Sequence, residues 1–281
     1  MNPEAGPAGR DGGRPDPGAP ARSGVPRFMV LPAVLGLAFL VLPLFALFVR
    51  APWGSLPDRL SDPVIRDALK LSLFCATMAT LLSLLVGVPI AVVLARGQFR
   101  GRALLRAFVT VPLVLPPVVG GVALLMALGR KGVVGSYLYQ WFGFTLPFST
   151  KAVVLAETFV AMPFLVIAVE GALRSADARF EEAAATLGAS PWTTFRRVTF
   201  PLILPGVAAG TVLCWARALG EFGATITFAG SLQGSTQTMP SAVYAALERD
   251  TSDAVVLSLV LLTVSVVVLT SLRERWISSP T

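Results

Sequence analysis

The chain has 281 residues, 54% of them hydrophobic and only 14% charged, with a mean hydropathy of +0.73. A soluble domain carries about 25% charged residues, so a water-exposed surface is excluded and the chain reads as an all-α integral membrane protein. It has no histidine, which removes Ser–His–Asp hydrolysis and His-ligated zinc, and none of Lys70, Lys131 and Lys151 follows a glycine, which removes a Walker A loop and with it any P-loop ATPase activity of this chain.

The net charge of +7 comes from 23 Arg and Lys against 16 acids. On a soluble protein that excess would suggest nucleic acid; here it is assigned to loop arginines that fix topology, and no nucleic-acid partner is expected. Cys75 and Cys214 both lie in apolar runs, where free cysteine behaves as a small hydrophobe, so no structural disulfide is expected.

In chain order, residues 1–27 hold six Pro and six Gly with almost no large apolar side chains, the composition of a disordered tail. Phe28 to Val49 is a run of 22 uncharged residues, enough to cross about 30 Å of hydrocarbon, and it reads as an uncleaved first span. Five more spans are expected near 69–95, 105–128, 151–173, 202–228 and 254–272, for six in all. Prolines 89, 112, 116, 117, 163 and 205 fall inside these runs, as packed membrane helices tolerate. Val133–Phe148, with Tyr137, Tyr139 and Trp141, suits a short interfacial helix. Glu157 and Glu170 read as interfacial charges, and Gly120, Gly121, Gly206 and Gly210 as points of close helix approach.

With the amino terminus inside, the cytoplasmic segments hold fourteen Arg and Lys and the opposite side eight. The loop 96–106 weighs most, with four arginines and no acid in eleven residues. Positive charge favours the cytoplasmic side, so both termini are expected there, in the plasma membrane of a prokaryote.

Residues 174–201 form the longest cytoplasmic connection. Ser175 or Asp177 is placed to cap a helix, and Glu181 and Glu182 lie near its positive end. Gly188 ends that helix, since glycine takes the left-handed conformation without a Cβ penalty. Ser190-Pro191 is an N-cap and first-turn pair that starts a second short helix. A helix–turn–helix follows, with Ala183, Ala184 and Ala185 as a small-residue docking surface.

This segment resembles the coupling motif of ABC-importer permeases, EAA-x3-G-x9-I-x-L-P. Glu182, Ala183, Ala184, Gly188 and Pro201 match at the right spacing, with Val198 and Phe200 at the two other apolar positions. The resemblance implies that the loop sits in a cleft of a cytoplasmic ATPase subunit, whose ATP-driven closure moves the spans in alternating access. It implies two such ATPases carrying ATP and Mg, no cofactor on this chain, and no enzymatic activity of its own.

Further along, Trp215 to Gly230, Gln237 to Pro240 and Tyr244 to Glu248 resemble the molybdate and sulfate permease group. Phe222-Gly223-Ala224-Thr225 and Val114 to Gly120 lean toward molybdate. The likeness spans about 65–272 and implies a homodimeric permease layer fed by an extracytoplasmic molybdate-binding protein. Tungstate is not separated from molybdate, and a sulfate or thiosulfate permease is the alternative within transport. An ion-driven secondary transporter would need no docking loop, and a membrane-embedded enzyme finds no catalytic constellation. Arg217 and Glu221 stand four apart within a span. They read either as a mutually neutralising pair that locks helix packing or as charges on the anion's path.

Overall fold

The computed structural model describes residues 27–277, with the side chains of Arg27, Leu269 and 271–277 left aside. The expected tail, except Arg27, lies outside the described residues. Within them every regular element is helical and no strand occurs.

The chain divides into two compact units at Ala46. Helix α1 (Arg27–Val49) supplies, with its residues 27–46, the described part of the first. It is apolar all round and its described side chains are almost all exposed, the pattern of a helix whose solvent is lipid.

The second unit opens with a short turn of helix, α2 (Leu56–Leu60), and then α3 (Pro63–Arg96). Asp62 caps α3 by accepting the Val64 amide at 2.8 Å, and Pro63 fills the first position, where a missing N–H costs nothing. At 34 residues α3 is about 51 Å long, so it outreaches the expected 69–95 span.

The expected third span, 105–128, is not one helix. It is α4 (Arg102–Val114) and α5 (Pro117–Leu128), bent by 119° at Leu115–Pro116. Two consecutive prolines remove two amide donors, and a residue before proline is driven out of the helical region; Leu115 (ψ 133°) and Pro116 (ψ 132°) are both extended. Neither half, at about 20 and 18 Å, reaches across the membrane alone. Helix α6 (Gly135–Phe142) is the short aromatic helix expected within 133–148, closed by Gly143 at φ +63°.

Helix α7 (Thr150–Ser175), capped by Ser149, is the hub of the unit. It packs against both α3 and α10 (Phe200–Leu219), which also meet each other, with Ala76, Leu94, Leu165, Val169 and Cys214 in the shared core. Small residues let the backbones approach. A Cβ at Gly206 would collide with the Ala172 methyl, and one at Gly210 would lie 2.9 Å from that of Ala168. Cys75 and Cys214 are both buried and free.

The fifth expected span, 202–228, also breaks. Helix α10 ends at Leu219, and the six-residue α11 (Gly223–Phe228) follows after Gly220–Phe222. Then come α12 (Met239–Leu247) and α13 (Thr251–Ile277), which pack together. The Met239 amide donates to Ser72 Oγ at 2.7 Å, tying α12 to α3. Among the described residues, five helices are long and apolar enough to cross a membrane, and the bent α4–α5 pair would make a sixth.

Candidate functional site

The connection after α7 is built by local capping chemistry. Neither candidate cap takes the N-cap position of the helix that follows, which is Ala178 and makes no side-chain bond: Asp177 Oδ1 accepts the Arg179 amide at 2.9 Å from one residue earlier, and Ser175 donates back to Gly171 and Ala172. Helix α8 (Arg179–Thr186) carries Glu181 and Glu182 in its first turn, where the helix dipole favours anions. The turn closes at Gly188, φ +80°, with the Gly188 amide on Ala185 O at 2.9 Å and the Ala189 amide on Ala184 O at 3.0 Å. No atom lies within 4 Å of where a Gly188 Cβ would stand, so backbone conformation alone calls for glycine there.

Ser190 Oγ accepts the Thr193 amide at 3.3 Å and Pro191 takes the first turn, as expected. The helix they start (α9, Pro191–Thr194) is not separate, however. It runs through a π turn at Phe195–Thr199, where the Phe200 amide reaches back to Phe195 O, and straight into α10. Pro201, in the first turn of α10, has no amide to offer the Arg197 carbonyl and its ring crowds that turn. The wider π turn accommodates both.

At the tip of this hairpin Glu182 and Ala183 are exposed, and Ala184 is half-buried. Leu187 (88% exposed), Trp192 (68%) and Phe180 (57%) add apolar surface. Glu181 does the opposite of its neighbour. One residue is a 100° rotation on a helix, and Glu181 turns inward, its Oε1 accepting from Arg96 Nη2 at 2.9 Å and from Thr199 Oγ1 at 3.0 Å. Sequence reasoning treated the two acids alike. A helical wheel separates their directions, but the partner of the inward one comes from 85 residues earlier in the chain.

The second set of charges lies in the long helices. Arg217 Nη2 is 2.6 Å from Glu221 Oε2; the Glu221 residue is 1% exposed and the Arg217 side chain 28%. The pair does not sit on one continuous helix: Arg217 is in the last turn of α10, and Glu221 is in the break after it. Glu221 Oε1 accepts the Ala224 amide at 2.7 Å, so the same carboxylate caps α11. This break adjoins the one between α4 and α5, since a Cβ at Gly223 would meet Pro117 Cβ at 2.7 Å and Val118 N at 3.1 Å.

Glu157 and Glu170, expected near the two ends of a span, are both buried within the protein, at 1% and 7% exposure. Glu170 accepts from Arg106 of α4 and from Arg174 one turn on, at 2.9 Å, and so is neutralised from two sides. Glu157 Oε2 has no hydrogen-bond partner among the described residues. No group of His, Cys, Asp or Glu able to hold a metal ion occurs among the described residues.

Long apolar helices packed about α7, with breaks at two adjoining points, define a multi-pass membrane protein. A chain in the crystal structure of a bacterial ABC transporter involved in the import of the acidic polysaccharide alginate has this fold, with a TM-score of 0.73 over 90% of this chain and 95% of that one at 17% identity. Residues 87–279 match the family described as binding-protein-dependent transport system inner membrane component, and the chain belongs to that family. It is 50% identical over 251 residues to the molybdenum transport system permease protein ModB of Mycobacterium tuberculosis (strain H37Rv), covering 89% of this chain and 95% of that one. To the protein of the same name from Escherichia coli (strain K12) it is 42% identical over 219 residues, 78% of this chain and 95% of that one.

Proposed function

We propose that the chain is the permease subunit of an ATP-driven importer that moves molybdate into the cytoplasm by alternating access. The observation that carries the substrate is the match to molybdenum permeases over 95% of their length. The hairpin supports the coupling role: Glu182, Ala183 and Ala184 stand on a short helix followed by the Gly188 turn, beside exposed Leu187 and Trp192. Apolar surface gathered at one exposed tip marks a protein partner, here the cytoplasmic ATPase that binds ATP and Mg. Two such ATPases, a second permease copy and an extracytoplasmic molybdate-binding protein complete the assembly, and this chain translocates without catalysing.

In this reading the bent α4–α5 pair counts as the third of six spans, and both termini face the cytoplasm. Arg217 and Glu221 hold the α10–α11 break in shape, with Arg217, the more exposed partner, adding a positive field for the oxyanion. Single cysteines at Arg100 and Gln140, with Cys75 and Cys214 replaced, are expected to label from opposite sides; labelling of both from one side would overturn the six-span topology. The functional test is ATP hydrolysis by the reconstituted complex with binding protein and molybdate, tungstate or sulfate. Stimulation by molybdate and tungstate with little by sulfate is expected, and stimulation by sulfate alone would overturn the substrate assignment.

A further inference from the structure

A hairpin that receives motion from an ATPase must pass it to the spans, and the packing beneath this hairpin is poorly suited to that. Between α8 and the ends of α3 and α7 lies a cavity of about 300 Å³ lined mainly by apolar groups, among them Val92, Leu173, Ala185 and Phe195. Where side chains do not fill the space, a small displacement of α8 is absorbed rather than transmitted, because dispersion contacts fall off within about an ångström of a gap.

Polar groups cross this space. Glu181 Oε1 is a shared acceptor: Arg96, the last residue of α3, donates to it at 2.9 Å, and Thr199, the last residue of the π turn, donates at 3.0 Å. Thr199 is buried, and the Arg96 and Glu181 side chains are two-thirds or more shielded from solvent. Charge-assisted bonds of this kind are short and directional. Both α3 and α10 pack against α7 in the core, so a pull on Arg96 and Thr199 is a pull on the two helices flanking the hub.

We propose that Glu181 is a positioning residue that transmits the movement of the coupling hairpin to α3 and α10 through its shared bonds to Arg96 and Thr199. Its role is separate from that of Glu182, which faces outward for docking. The proposal rests on the reading of the hairpin as the ATPase-coupling element.

The test uses the whole complex of permease, ATPase and molybdate-loaded binding protein in liposomes, measuring ATPase retained on purification and molybdate moved per ATP. With Glu181→Ala, the complex is expected to keep its ATPase and hydrolyse ATP, while molybdate per ATP falls on the order of tenfold, within the usual range of coupling between sites. Pairing Glu181→Arg with Arg96→Glu restores a donor–acceptor bond in reverse, and an arginine at 181 can still donate to Thr199. This double variant is expected to recover most of the ratio, and each single substitution is not. If Glu181→Ala does not accumulate, the double variant against its two singles gives the same reading. An unchanged ratio, loss of the ATPase from the Glu181→Ala complex, or no recovery in the double variant would each overturn the proposal. A wild-type complex whose hydrolysis ignores molybdate-loaded binding protein would overturn the functional reading and this proposal together, and it shows before any variant is made.

Discussion

Arg217 and Glu221 face each other across the end of α10, 2.6 Å apart, and the Glu221 carboxylate also holds the Ala224 amide in the first turn of α11. Removing one member of a buried pair strands the other at a cost of about 3 kcal/mol, less where the arginine still reaches water. Arg217→Ala and Glu221→Ala are each expected to lower the melting temperature and yield of the complex. Arg217→Met with Glu221→Gln is expected to recover much of both, since the amide oxygen still caps Ala224. A normally assembled Arg217→Ala complex that hydrolyses ATP but moves no molybdate would instead place Arg217 on the anion's path.

Gly206 and Ala172 bring α10 and α7 into backbone contact, with no room for a Cβ on the glycine. Gly206→Ala forces the two central helices apart, an overpacking cost of about 1–3 kcal/mol. The variant is expected to melt earlier than wild type, and adding Ala172→Gly is expected to return part of the loss. Equal thermal stability of Gly206→Ala and wild type in detergent would contradict this packing.

Gly188 differs from Gly206 in having open space around it, so its substitution tests conformation alone. Gly188→Val forces a β-branched residue to φ +80°, where even an unbranched residue costs about 1–2 kcal/mol. No atom packs where a Gly188 side chain would stand, so insertion into the membrane is expected to be unaffected. ATPase co-purification and molybdate uptake are both expected to fall, and wild-type uptake by this variant would remove the docking role from the turn.

Asp250, in the loop before α13, accepts the Ser252 amide at 2.8 Å and faces Arg59 Nη1 at 3.2 Å. The Ser252 amide first, and then Arg59, hold its carboxyl below the usual value of 3.8. A depressed carboxyl pKa stabilises the fold above the unfolded value, and that stability is lost as pH falls through the folded one. The melting-temperature difference between wild type and Asp250→Asn is therefore expected to be small and constant from about pH 7 to 5, narrowing below about pH 4. A difference that grows on acidification would contradict the sign.

The membrane class, the positions of the long helices and the turn that ends α8 were legible in the residues themselves. Each depends on chemistry within a few positions: an uncharged run from Phe28 to Val49, a glycine at 188 that alone fits φ +80°, a serine before a proline at 190–191. Tertiary structure decided the rest. Prolines 116 and 117 announce a break, but its 119° bend belongs to a chain whose α5 lies against α11, where Gly121 leaves no space for a side chain beside Thr227 and Ala224. Glu157 and Glu170 look alike in sequence. One is buried with an unpartnered oxygen, and the other is neutralised by Arg106, 64 residues away. Glu181 and Glu182 are adjacent acids, and only the return of α3 beside α8 turns the first into a strut and leaves the second facing outward. Local conformation follows from nearest neighbours along the chain, whereas the state of a buried charge follows from which distant helix supplies its counter-charge.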